Sequence, residues 1–118
     1  MKHFEFCKDT FARMGMAASE EAFDVLSEME FMLDDLKMYQ WIDHKLENKD
    51  LEGLCVLHAI MGVGANNWVD EKYGLDHMKE NIEEISEVLQ ECMKLICVFF
   101  DLDYKPDDEK GFRLEYRD

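Results

Sequence analysis

The sequence predicts a mainly α fold: one helical domain over residues 1–118, built from about four principal helices, with a C-terminal segment patterned like a small β-hairpin. Three observations predict it. Apolar residues recur at three- and four-residue spacing along most of the chain, the period of a helix buried on one side. Only one proline and six glycines interrupt the 118 residues. Ser19, Asp50 and Asp76 each precede an apolar-periodic run, where a helix start needs a side-chain acceptor. The length suits one core rather than two. A hydrophobic content of 47%, with 12% aromatic residues, excludes a disordered chain.

The first helix is expected over about 2–14. Phe4, Cys7, Phe11 and Met14 follow i, i+3, i+7, i+10, and Gly15 stands as the residue that ends it. A short strand over His3–Phe6 is the competing reading. The second helix, about 20–47, starts behind Ser19 with Glu20 and Glu21 in its first turn, where the helix dipole favours carboxylates. Its early core positions are Ala22, Val25, Leu26, Met29, Met32, Leu33 and Leu36. Beyond Lys37 the same stripe would fall on Gln40, Asp43, His44 and Glu47, whereas the apolar residues are Met38, Tyr39, Trp41, Ile42 and Leu46. With no proline or glycine there, one continuous helix with two buried faces is expected rather than a break near Lys37.

The third helix, about 51–73, follows the turn Asn48-Lys49-Asp50, with Asp50 as its cap. Leu54 to Ala65 carries no charge, which predicts a helix in the middle of the bundle. Gly53, Ala59 and Gly62 would admit close neighbours, Gly64 to Asn67 would loosen the helix, and Gly74 would end it. The fourth, about 77–100, is expected to be capped by Asp76. Met78, Ile82, Ile85, Leu89, Cys92, Ile96 and Phe99 form its stripe, and Glu80, Glu83, Glu84, Glu87 and Glu91 occupy the other side. That pattern suits antiparallel bundle packing or a coiled-coil dimer. In the tail 101–118 and the residue before it, Phe100 to Lys105 and Phe112 to Arg117 alternate strictly around a turn-rich connector. A hairpin and a frayed helix end with an irregular tail both fit.

Composition excludes several classes of function. The 28 Asp and Glu against 13 Lys and Arg give a net charge of −15, and three arginines with no basic stretch rule out direct nucleic-acid binding. The longest uncharged run, Gly53 to Val69, is 17 residues with three glycines and two asparagines, so no membrane partner is expected. The beginning of the chain lacks the charged-then-apolar pattern of an export signal, which predicts a cytoplasmic protein. Cys7, Cys55, Cys92 and Cys97 stand singly at apolar positions, as buried free thiols would in a reducing compartment.

The residues that could carry chemistry point away from catalysis. Asp-His-x-x-Glu occurs at Asp43–Glu47 and again at Asp76–Glu80. A histidine and a glutamate three residues apart share a helix face, but no further ligand lies on an apolar face, so no metal and no cofactor are expected. His58, inside the uncharged run, reads as a core histidine. Ser19, Ser27 and Ser86 lack the context of a nucleophile, and Gly62-Val-Gly64 lacks the lysine of a phosphate loop. Asp50 to Leu57 faintly resembles a helix start of the helical pyrophosphohydrolases, which hold magnesium with acidic motifs on adjacent helices. The inward carboxylates of those motifs are absent from this segment. No catalytic residue is therefore assigned and no enzyme is expected; a metal-dependent helical hydrolase using His44 and His77 is the remaining catalytic alternative.

The strongest signal is the acidic stretch Glu20 to Asp35, with seven carboxylates and no lysine or arginine in 16 residues. Glu20, Glu21, Asp24, Glu28 and Asp35 fall within roughly a 100° arc at 3.6 residues per turn, and Phe31 projects from its middle. On a continuous helix Met38 and Ile42 would prolong the line of Phe31, beside Trp41. Like-charge neighbours such as Glu20/Asp24 and Asp24/Glu28 cost about 0.2–0.5 kcal/mol each, a cost that a merely solvated face could avoid. The expected partner-binding residues are Glu20, Asp24, Glu28, Phe31, Asp34, Asp35, Met38, Trp41 and Ile42, the apolar ones as anchors and the carboxylates as steering groups.

The stretch is ~24 Å long, and its seven charges compare with about 14 on duplex DNA of that length, so the mimicry of nucleic acid is partial. The expected function is an acidic binding protein, an inhibitor of the immunity, antitoxin or phage anti-defence type, occupying a basic, nucleic-acid-binding-type surface of a partner protein. The alternative is a structural homo-oligomer, such as a homodimer, in which Met38, Trp41 and Ile42 pair between copies.

Overall fold

The computed structural model describes residues 6–107 and 111–117. Among these, five α-helices precede one hairpin: α1 (Phe6–Ala17), α2 (Glu20–Asp35), α3 (Tyr39–Glu47), α4 (Leu51–Lys72), α5 (Ile82–Phe99), β1 (Leu102–Asp107) and β2 (Gly111–Tyr116). No helix among the described residues is long and apolar enough to cross a membrane.

The hub is α2, which packs against α1, α4 and α5. Ala22, Val25, Leu26, Met29 and Leu33 recur at helical spacing and are buried, the larger ones each worth about 1.5–3 kcal/mol of burial. The N-cap hydroxyl of Ser19 accepts from the Ala22 amide at 3.2 Å. Ser19 is also clasped from α5: its amide and hydroxyl donate to the two carboxylate oxygens of Glu91, each at 2.7 Å. Glu91, expected on the solvent side, instead brings negative charge to the start of α2, where the orphan amides need it.

The expected single helix over 20–47 is two helices. Lys37 adopts φ 55°, its amide donates to the Asp34 carbonyl at 3.0 Å, and the Met38 amide donates to the Leu33 carbonyl at 2.9 Å. This is the paired bonding that closes a helix around a left-handed residue, with lysine where glycine is usual. Lys49 repeats it at φ 52°, the Asp50 amide donating to the Lys45 carbonyl at 2.9 Å. The break accounts for the swing of the apolar face: α3 leaves in a new direction and turns Ile42 and Asp43 into the interior. There the Cys7 amide donates to Asp43 Oδ1 at 2.8 Å, so a carboxylate from α3 caps α1.

Three further boundaries differ from expectation. α1 runs through Gly15 to Ala17; a Cβ on Gly15 would lie 3.1 Å from the Phe23 ring, so the glycine serves close packing rather than termination. Phe4 and most of the alternative strand over His3–Phe6 lie outside the described residues, while Phe6 opens α1. The fourth expected helix begins at Ile82 instead of 77. Asp76 caps no α-helix: it lies in one of two 3-10 turns, Leu75–His77 and Lys79–Asn81, that follow Gly74 at φ 79°. Met78 and Ile82 are consequently exposed, and the buried stripe of α5 starts at Ile85.

The uncharged stretch Leu54 to Ala65 of α4 is not buried on all sides. Asp50 caps it as expected, accepting from the Glu52 amide at 2.9 Å. The helix is unbroken at Gly64, where a Cβ would lie 3.0 Å from Met29 Cγ, so this glycine sets the approach of α4 to α2. The opposite face of α4, with Leu51, Cys55, Ala59, Gly62 and Val63, is exposed. Cys55 therefore departs from the buried thiols, Cys7, Cys92 and Cys97; all four are free. Burial pushes the Cys92 thiol up to about 12, the Glu91 charge adding to it.

The hairpin reading of the tail holds. Leu102 pairs with Tyr116 and Tyr104 with Leu114, and Leu102 and Leu114 are buried. Tyr116 Oη donates to the Asp50 carbonyl at 2.7 Å, fastening the hairpin to the α3–α4 turn. Phe100, just before it, packs edge-on against Phe11 with ring centroids 5.6 Å apart.

Candidate partner-binding surface

Because α2 buries one stripe against three neighbours, its remaining arc faces solvent as a unit. Glu20, Asp24, Asp34 and Asp35 are exposed and Glu28 is half-buried. Phe31 stands among them 68% exposed. The other expected anchors separate from this face. Ile42 is fully buried in the core and cannot reach a partner. Met38 is half-buried at the break, and Trp41 lies on α3 with Lys45 Nζ 5.4 Å from its ring centroid. The line Phe31–Met38–Ile42 needs a continuous helix, and the left-handed turn at Lys37 removes it.

A different aromatic joins Phe31. Phe23, two helical turns earlier and 48% exposed, lies with it along a groove of about 460 Å³ that also takes in Lys8, Ser27, Glu30, Asp34 and Tyr39. The signal was present in the sequence, since Phe23 falls off the stripe 22, 25, 26, 29, 33. Burial raises the Glu30 carboxyl, with Lys8 opposing, and burial also lifts the Tyr39 phenol to about 12, reinforced by the charges of Glu30 and Asp34.

A second groove, of about 590 Å³, runs along the other flank of α2. Glu20, Glu21, Asp24 and Glu28 line it from α2, and Trp68, Glu71 and Lys72 from α4. Lys72 Nζ sits 5.5 Å from the ring centroids of both Trp68 and Tyr73. The acidic arc is thus flanked by an aromatic groove on one side and a carboxylate-walled groove on the other.

The two Asp-His-x-x-Glu copies do unrelated things. Asp43 caps α1, and His44 lies exposed on α3 beside Asn48. His77 Nδ1 is 3.4 Å from Glu80 Oε2 on the surface of the α4–α5 connection. Among the described residues no three His, Cys, Asp or Glu side chains gather as metal ligands would. Comparison with known proteins found no matching family model, no similar curated protein and no similar solved structure.

Proposed function

We infer that this chain is a cytoplasmic binding protein rather than a catalyst, and that it inhibits a partner by occupying a basic, nucleic-acid-binding-type surface with the outer arc of α2. The observation that carries the reading is a helix with seven carboxylates and no cation in 16 residues, five of those carboxylates on one face, with Phe23 and Phe31 exposed beside them. Exposed aromatics rimmed by charge of one sign are what an interface needs: the rings supply desolvated anchors and the charges supply steering and register. Size and charge are those of immunity, antitoxin and anti-defence proteins, a likeness of class only.

The test compares two variants against the wild type as bait in a lysate of the source organism or its host. Phe31→Ala is expected to raise the off-rate of the retained partner about tenfold or more, since an interface anchor is worth at least about 1–2 kcal/mol. Asp34→Lys/Asp35→Lys is expected to slow association and flatten its salt dependence. Retention unchanged in both variants would place the interface elsewhere.

Self-association is a second reading, favoured by one observation on α4. Gly62 is exposed, no atom of the described residues beyond its own stretch of helix lies within 4 Å of where its Cβ would stand, and a helix-interior glycine costs about 0.5–1 kcal/mol relative to alanine. Nothing among the described residues uses that missing side chain. A second helix crossing the uncharged face at Cys55, Ala59, Gly62 and Val63 would, and on a chain of net charge −15 an uncharged face is where two copies could meet. Sedimentation should then give a concentration-dependent mass that Val63→Glu abolishes; a monomer at all concentrations removes this reading.

A further inference from the structure

We propose that the groove between the start of α2 and the end of α4 seats an arginine of the partner, with the guanidinium among Glu20, Asp24 and Glu28 and an adjoining main-chain carbonyl of the partner accepting from the indole N–H of Trp68. This deepens the reading of α2 as a partner-binding helix and rests on it.

Two independent observations meet in this groove. The first is its charge: five carboxylates, from Glu20, Glu21, Asp24, Glu28 and Glu71, line it beside one cation, Lys72. The second is Trp68, which lines the same groove and is only 3% exposed. Its indole N–H is buried and meets no hydrogen-bond acceptor among the described residues. A buried donor without an acceptor is uncommon in folded proteins, because it has lost water and gained nothing in return. An acceptor brought by a partner would satisfy it, and a peptide segment carries one at every residue.

Lys72 shows what the groove accepts. Its ammonium already lies over the Trp68 and Tyr73 rings, each at 5.5 Å, so the chain's own cation occupies the aromatic floor. Lys72 is exposed on a flexible stem and can swing aside. Arginine is the better occupant: its planar fork pairs with carboxylates two bonds at a time and stacks on aromatic faces, whereas ammonium remains a strongly hydrated point charge. The walls also place like charges close together, and an incoming guanidinium relieves that repulsion.

The chain has two tryptophans, Trp41 and Trp68, so a nitrogen-labelled sample gives two indole N–H signals, one of them an internal control on α3. The probes are capped hexa-arginine and capped hexa-lysine peptides, titrated at low and at high salt. Hexa-arginine is expected to shift the Trp68 indole signal to saturation while the Trp41 signal stays in place. It should bind more tightly than hexa-lysine. Asp24→Asn/Glu28→Gln, surface changes of equal size, should weaken binding about tenfold, and Lys72→Ala should strengthen it.

Hexa-arginine binding with a silent Trp68 signal overturns the proposal. If that binding is still lost in Asp34→Lys/Asp35→Lys, the reading of α2 survives without this groove. Equal shifts by both peptides, or equal shifts of both indoles, overturn the arginine assignment in favour of diffuse charge attraction. If neither peptide binds at low salt, the groove is not a cation seat; if the bait experiment also retains nothing, the α2 reading falls with it.

Discussion

Asp43→Ala is expected to destabilise the protein by about 2–4 kcal/mol, a large share of the ~5–15 kcal/mol that holds a domain of ordinary stability. The carboxylate is 2% exposed and accepts from the Cys7 amide at 2.8 Å. Removing it strands an amide in the first turn of α1, withdraws negative charge from the positive end of that helix, and leaves a void where α1 meets α3. Truncating one partner of a buried charged hydrogen bond lies at the high end of single-residue effects. Asp43→Asn keeps an acceptor and the volume, so its loss should be about half as large. Urea unfolding followed by far-ultraviolet circular dichroism gives the comparison; a midpoint for Asp43→Ala within error of wild type would show that α1 needs no cap from α3.

Gly64→Val should be comparably damaging, at about 3 kcal/mol or more, while Gly62→Ala, two residues earlier on the same helix, should stabilise the monomer by about 0.5–1 kcal/mol. At Gly64 even a Cβ would stand 3.0 Å from Met29 Cγ and 3.5 Å from the Val25 carbonyl oxygen, so a branched side chain must push α4 away from α2. At Gly62 the added methyl meets open space. Thermal melts of the two variants at low protein concentration decide it. Equal effects of the two substitutions would mean that helix propensity alone operates and that the α2–α4 approach is looser than described. Because both flanking grooves of α2 are built on its seating, Gly64→Val should also weaken retention of a partner, which Gly62→Ala should not.

Part of the proposed binding surface was legible in the sequence, because it depends on one helix alone. The carboxylates of α2 and Phe31 face solvent where the helical wheel put them, and Phe23 was legible as a residue off the buried stripe. The misplaced anchors all lie beyond Lys37. A helix closed by a left-handed lysine carries none of the usual punctuation, and lysine at φ 55° is tolerated because the two closing hydrogen bonds offset its strain. Ile42 thereby passed from a supposed surface row into the core. Trp68 belongs to the second groove only because α4 lies antiparallel beside α2, a placement with no local signature.

What the sequence alone determined was the local pattern: a mainly helical chain, the buried stripe of α2, the caps at Ser19 and Asp50, and the alternating strands of the tail. Each of these rests on residues within a turn or two of one another, whose spacing and hydrogen-bonding chemistry act before any long-range contact forms. Tertiary structure alone decided which apolar face is covered and which carboxylate is a cap. It left the uncharged face of α4 in solvent while α2 became the hub, and turned Glu91 from a surface residue into the clasp on Ser19. It also carried Asp43 from a supposed helix-end motif to the start of α1. Those outcomes depend on partners 36 to 72 positions away in the chain, where packing and the satisfaction of buried polar groups, rather than periodicity, choose among faces that are locally equivalent.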